Sequence, residues 1–205
     1  MKNICIALVG MAVLGCCTLT RAENPGAKVD ITGSALFVVP SESDAWKNGF
    51  GAEGWLRFWF NENFGLGAVG GFEYWGLKEL FGIPKVSDSS PAMYPLPLGG
   101  SALLRLPLNR DLSLVFDGGL RVVPIGSNLE LRYPGRDSEQ VLFDPGVIGV
   151  AGANFEGMIS RNVFLFAGAN YQFDVVEPEA KTDNQKLGEI SLEGFVIRAG
   201  VGIRF

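Results

Sequence analysis

Hydrophobic residues recur at every second position in eight separate stretches of this chain. A strand turns successive side chains to opposite faces, so this alternation predicts strands with one apolar face each. The stretches are 28–39, 49–60, 64–76, 98–106, 112–125, 146–159, 163–176 and a last one from near 188 to 205. The last is the clearest. Phe195, Ile197, Ala199, Val201, Ile203 and Phe205 share one face, and Val196, Arg198, Gly200, Gly202 and Arg204 share the other. A long strand with unpaired edges is an aggregation hazard. Pairing the last strand with the first closes the sheet and removes both edges.

The connections alternate in length. Segments 61–63, 107–111 and 160–162 are short and polar, while 40–48, 77–97, 126–145 and 177–187 are long. Segment 77–97 contains Pro84, Pro91, Pro95 and Pro97. Proline has no N–H to give to a ladder, so this stretch is expected to be loop.

Charge decides which face is inside. The face opposite the apolar one carries Glu53, Arg57, Glu73, Arg105, Asp117, Arg121, Glu156, Asp174, Arg198 and Arg204. An Arg or Lys facing lipid at the bilayer midplane costs about 2–4 kcal/mol, whereas charges in a narrow closed interior can pair. The apolar face mixes Phe, Leu, Val and Ile with Ala and Gly. Small residues fill a soluble core poorly but are tolerable against lipid. The expected fold is all-β: an eight-stranded antiparallel up-and-down transmembrane β-barrel with its apolar face outward. A water-soluble barrel with an apolar interior is the competing arrangement.

Five arginines and five carboxylates balance on the inner face, beside Trp55, Trp59, Trp75, Phe164 and Phe166. Eight strands leave an interior that side chains can just fill. A lumen plugged by paired charges is therefore expected, with a narrow passive pore for ions or small solutes as the alternative.

Residues 1–22 read as an export signal: Lys2, an apolar run from Ile4 to Leu14, and Thr20-Arg21-Ala22 as the cleavage site. Residues 23–205 are then one barrel domain. Cys5, Cys16 and Cys17 all fall in the removed part. A second reading of this segment is open, because Val13-Leu14-Gly15-Cys16 resembles a bacterial lipoprotein box with Cys16 lipidated. The whole chain carries a net charge of −5, and loss of Lys2 and Arg21 deepens it by two. With no concentrated basic surface, nucleic acid is not an expected partner. There is no histidine, which removes a Ser-His-Asp arrangement and most metal sites. Gly67-Ala68-Val69-Gly70-Gly71 lies inside a strand and opens no phosphate-binding helix. No enzymatic activity, metal or cofactor is expected.

Eight strands, alternating long and short connections and a closing strand ending in Phe205 together resemble the small OmpA-like and OmpX-like eight-stranded outer-membrane β-barrel superfamily. The resemblance spans residues 28–205 and rests on no sharp motif. It implies an outer-membrane location, with long loops outside and short turns in the periplasm. It also implies a monomer whose partners are outer-membrane lipids and the assembly machinery, with Phe205 in the signal that machinery reads. The peptidoglycan-binding domain of two-domain members is not part of this resemblance. The expected role is structural or surface-interacting and is carried by the extracellular loops. Trp46, Tyr94, Arg132, Tyr133 and Arg136 are the candidate anchors for a host or envelope surface. The plainer reading is that the loops only solvate the barrel rim.

Overall fold

The structure is a computed structural model that describes residues 28–42, 45–78, 92–131, 139–182 and 185–205. The proposed export segment 1–22, including Cys16, and the loop candidates Arg132, Tyr133 and Arg136 lie outside them.

Eight long strands form the wall: β1 (Lys28–Pro40), β2 (Gly49–Trp59), β3 (Phe64–Gly76), β4 (Leu98–Pro107), β5 (Leu112–Val123), β6 (Gly146–Met158), β7 (Val163–Val176) and β8 (Gly194–Arg204). Each pairs antiparallel with its sequence neighbours. β8 then closes on β1, in a register running from Asp30 opposite Arg204 to Pro40 opposite Gly194. Beyond that ladder, the Phe205 N–H donates to the Val29 carbonyl at 2.8 Å. The result is a closed all-β, up-and-down barrel.

Alternation sets the faces as expected. Ile31, Phe37, Leu66, Leu120, Phe155, Phe195, Ile197 and Phe205 are exposed on the outside, while Asp30, Glu53, Arg57, Arg105 and Arg198 are buried inside. This is a water-soluble protein turned inside out, and in lipid it also leaves no unpaired strand edge. At the long-loop end, rings gather on the outer wall. Phe50 and Tyr74 stack at 5.0 Å, and Tyr74 and Tyr94 meet edge-on at 5.7 Å. Tyr171 and Phe195 lie 4.9 Å apart. Such girdles mark the interface level of membrane barrels.

Inside, glycines make room for rings from neighbouring strands. A Cβ on Gly202 would sit 2.2 Å from the Phe164 ring, and one on Gly67 2.9 Å from Trp55.

The structure corrects two expectations. Within the proline-rich connection, Ala92–Pro95 is a strand. It pairs with the end of β3, Met93 opposite Trp75, and with Ile125–Ser127. The prolines do not end the ladder, which is interrupted only at Leu96 and Pro97. There Pro97 contributes only its carbonyl, to the Gly71 N–H at 2.9 Å, and the Leu96 N–H reaches the Pro124 carbonyl at 2.9 Å. Proline is tolerated at such interruptions. Strands β4 and β5 thus continue beyond this interruption as a taller wall. The second correction concerns β8, which begins at Gly194 rather than near 188. Residues 186–189 instead pair with 179–181 in a small sheet outside the barrel that also takes in 142–143.

Candidate functional site

The lumen is the candidate site, and its side chains stand at three levels. At the short-turn end, three guanidiniums share two carboxylates. Arg57 Nη1 donates to Glu156 at 2.5 Å. Arg105 Nη2 reaches Asp30 at 2.9 Å and Glu156 at 3.2 Å. Arg204 donates to Asp30 through Nε at 2.9 Å and to Glu156 through Nη2 at 3.4 Å. Asp30 also accepts from Trp59 Nε1 at 2.8 Å, and the Arg105 guanidinium lies 3.6 Å over the Trp59 ring. Asp30 stands on the inner face of β1, where alternation puts it, yet the sequence reading left it out of the network. Its position on that face was the available signal.

The middle level is balanced. Arg198 Nη1 donates to Glu53 at 3.2 Å, its Nη2 to Asp117, and its Nε to the Asn154 amide oxygen at 2.6 Å. Arg121 Nη1 reaches the second Glu53 oxygen at 3.4 Å. The Trp55 ring stands between the levels, 5.2–5.5 Å from the guanidinium carbons of Arg57, Arg121 and Arg198. Buried ions cost several kcal/mol each unless paired and hydrogen-bonded, and cation–π faces add to the pairing.

The upper level is apolar. Leu36, Val38, Val123, Ile148, Val150 and Val196 from the wall pack with Trp46, Trp75, Met93, Leu129, Val141, Ala180, Ile190 and Leu192. Many of these come from the long connections, which fold back over the mouth. Beneath them, the space between Glu73, Trp75, Pro97, Ile148, Gln172 and Leu192 has no volume for a water molecule.

Two acidic residues expected to pair with arginine do not. Glu73 is buried and accepts from Trp75 Nε1 at 2.8 Å, and among the described residues no cation lies within ion-pair distance of it. Asp174 sits higher still. It accepts from Ser191 Oγ at 2.7 Å and from the Leu192 N–H at 3.1 Å, which fixes the turn that inserts Leu192 into the mouth. Among the described residues, no inner arginine forms an ion pair with either acid.

The loop candidates also land differently from expectation. Trp46 is only 1% exposed and packs edge-on against Trp75, with centroids 6.2 Å apart. It is part of the cap and cannot serve as an exposed anchor. Tyr94 is half-buried on the outer wall against Phe72 and Tyr74. Exposed pairs such as Lys181 with Asp144 at 2.5 Å decorate the loops, and each is worth about 0–1 kcal/mol.

No family model matches the chain, and no curated protein matches it. Solved structures do. The outer membrane protein OprG from Pseudomonas aeruginosa is 10% identical over 88% of this chain and 96% of that one, with a TM-score of 0.65. A major outer membrane protein from Thermus thermophilus is 12% identical over 88% of this chain and 100% of that one, with a TM-score of 0.56. So low an identity over nearly the full length of both chains marks a shared fold, and that fold is the small eight-stranded β-barrel of outer membranes.

Proposed function

We propose that this protein is a closed, non-conducting outer-membrane barrel whose role, structural or surface-interacting, is carried by the platform its long connections build. The observation that carries this reading is the apolar cap: Trp46, Met93, Leu129, Val141, Ala180 and Leu192, drawn from four different connections, are all buried together over the lumen. Loops that share one core present a fixed surface, which lowers the ordering cost of any contact made on it. Below the cap, ion pairs and rings occupy the space an ion path would need. Most of the inner charges stand in ion pairs and the chain has no histidine, so the reading is non-enzymatic.

The test compares the intact barrel with one whose connections above the membrane are cut to tight turns. Intact barrels in planar bilayers are expected to show no stable single-channel steps; steps of hundreds of picosiemens, the scale of an open water-filled lumen, would refute the closed lumen. In cells, the shortened barrel is expected to assemble but to lose the intact protein's effect on detergent sensitivity and surface attachment. An unchanged phenotype would reduce the role to the barrel itself.

We also propose that residues 1–22 are removed on export and that Phe205 acts in assembly. Deleting Phe205 is expected to slow membrane insertion in pulse-chase folding assays more than it lowers the urea midpoint of the finished barrel. Equal insertion rates would remove Phe205 from the signal.

A further inference from the structure

We propose that the periplasmic mouth of the barrel binds a phosphate-type oxyanion. A cavity of about 240 Å³ opens there, lined by Lys28, Arg105, Arg110 and Arg204 on one side of the charge balance and Glu62 and Asp111 on the other. Its floor is the lower ion-pair level, where Arg57, Arg105 and Arg204 share only Asp30 and Glu156. One positive charge is left over. The five inner arginines and five inner carboxylates (Asp30, Glu53, Glu73, Asp117 and Glu156) balance in number, but they are segregated along the axis. The fifth acid, Glu73, stands away from the floor, hydrogen-bonded to Trp75.

The leftover charge is aimed at the cavity. Arg204 is the most exposed of the three, at 19% of its side chain. Its Nη1 finds only the Met158 thioether at 3.7 Å, a weak acceptor that leaves those N–H groups in search of oxygen. The rim adds donors. Asn61 and Asn109 each turn the side-chain oxygen onto their own turn, to the N–H groups of Asn63 and Phe64 and of Asp111 and Leu112. Among the described residues their NH₂ groups make no further hydrogen bond, and both residues line the cavity. Lys28 and Arg110 make no ion pair among the described residues. Several donors and a guanidinium converging on one space fit an anion with several oxygens better than a single-atom halide. Both a free phosphate and an inner-leaflet phospholipid headgroup carry that chemistry.

The test titrates inorganic phosphate into the full barrel in maltoside micelles, followed by NMR of the Asn61 and Asn109 side-chain amides and the Arg204 guanidinium. Chloride at matched ionic strength is the control. Saturable shifts with phosphate alone are expected. Arg204→Gln should weaken binding about tenfold. Because that variant disturbs the closing strand, the double variant Lys28→Ala/Arg110→Ala, which touches no buried pair, provides a second arm and should weaken it several-fold. Shifts that grow linearly, that chloride reproduces, or that the double variant leaves unchanged would overturn the proposal. Nanodiscs separate the sources. If headgroups fill the site, phosphatidylglycerol shifts the same signals before phosphate is added and phosphatidylcholine does not. If a free anion is the occupant, the phosphate titration is the same in both.

Discussion

Arg198→Met is expected to destabilise the barrel by about 3–5 kcal/mol, the cost of breaking a buried ion pair by removing one partner. Arg198 is 1% exposed and contacts Glu53, Asp117, Asn154 and the Trp55 ring at once. Methionine restores much of the volume, so little of the loss would come from a cavity. Glu53 would keep Arg121 at 3.4 Å, but Asp117 would retain only the Asn154 amide at 3.2 Å. The orphaned charge is therefore Asp117. Adding Asp117→Asn to Arg198→Met should recover most of the loss, and the double-mutant cycle isolates that coupling. Equilibrium unfolding in urea from lipid vesicles is the measurement. The loss should persist in high salt, since screening acts mainly on exposed charges. A loss below about 1 kcal/mol would mean that water already solvates these carboxylates and that the lumen is not filled.

Ala199→Arg should cost about 2–4 kcal/mol in a bilayer, and Ile203→Arg, nearer the short-turn end, about 0–1 kcal/mol. Ala199 lies in mid-strand on the outer face, opposite Ala35 on β1 and Ala167 on β7. An arginine there meets acyl chains with no partner. The same pair of substitutions on a water-soluble barrel would be close to neutral at both sites. Unfolding midpoints measured side by side in vesicles separate the two cases. Two neutral substitutions would place the apolar belt outside lipid.

The wall was legible in the sequence because alternation reports a face directly. Every charged residue assigned to the inner face lies on that side of its strand. Depth was not legible. How high a residue stands in the lumen depends on strand tilt and stagger, which no single strand encodes. For that reason the face of Asp174 suggests an arginine partner, whereas it holds Ser191 and the Leu192 N–H instead. The same holds for Glu73, whereas the inner face of Asp30 follows from alternation alone. Prolines misled for a different cause. They exclude a donor at one position, yet the donors needed at 92–95 come from other residues. From its polar connection, Trp46 suggests a surface anchor. Its burial depends on Trp75 and on residues of three other connections, contacts distant in sequence.

The seam between β1 and β8 bears on how the barrel forms. Asp30 and Glu53 lie near the start of the barrel sequence, while their partners Arg204 and Arg198 lie at its end, 174 and 145 residues away. Contacts at such separations are slow to form, because the entropy of closing the intervening chain is lost before the contact repays it. Until then, a seven-stranded sheet would present two raw edges to lipid and carboxylates with too few cations. Each defect is costly in hydrocarbon. The arrival of β8 removes both together, since the strand that completes the ladder also carries the missing guanidiniums. Edge pairing and neutralisation are thus expected to form one cooperative step, in which a partly closed wall gains stability in the bilayer only as the last strand arrives.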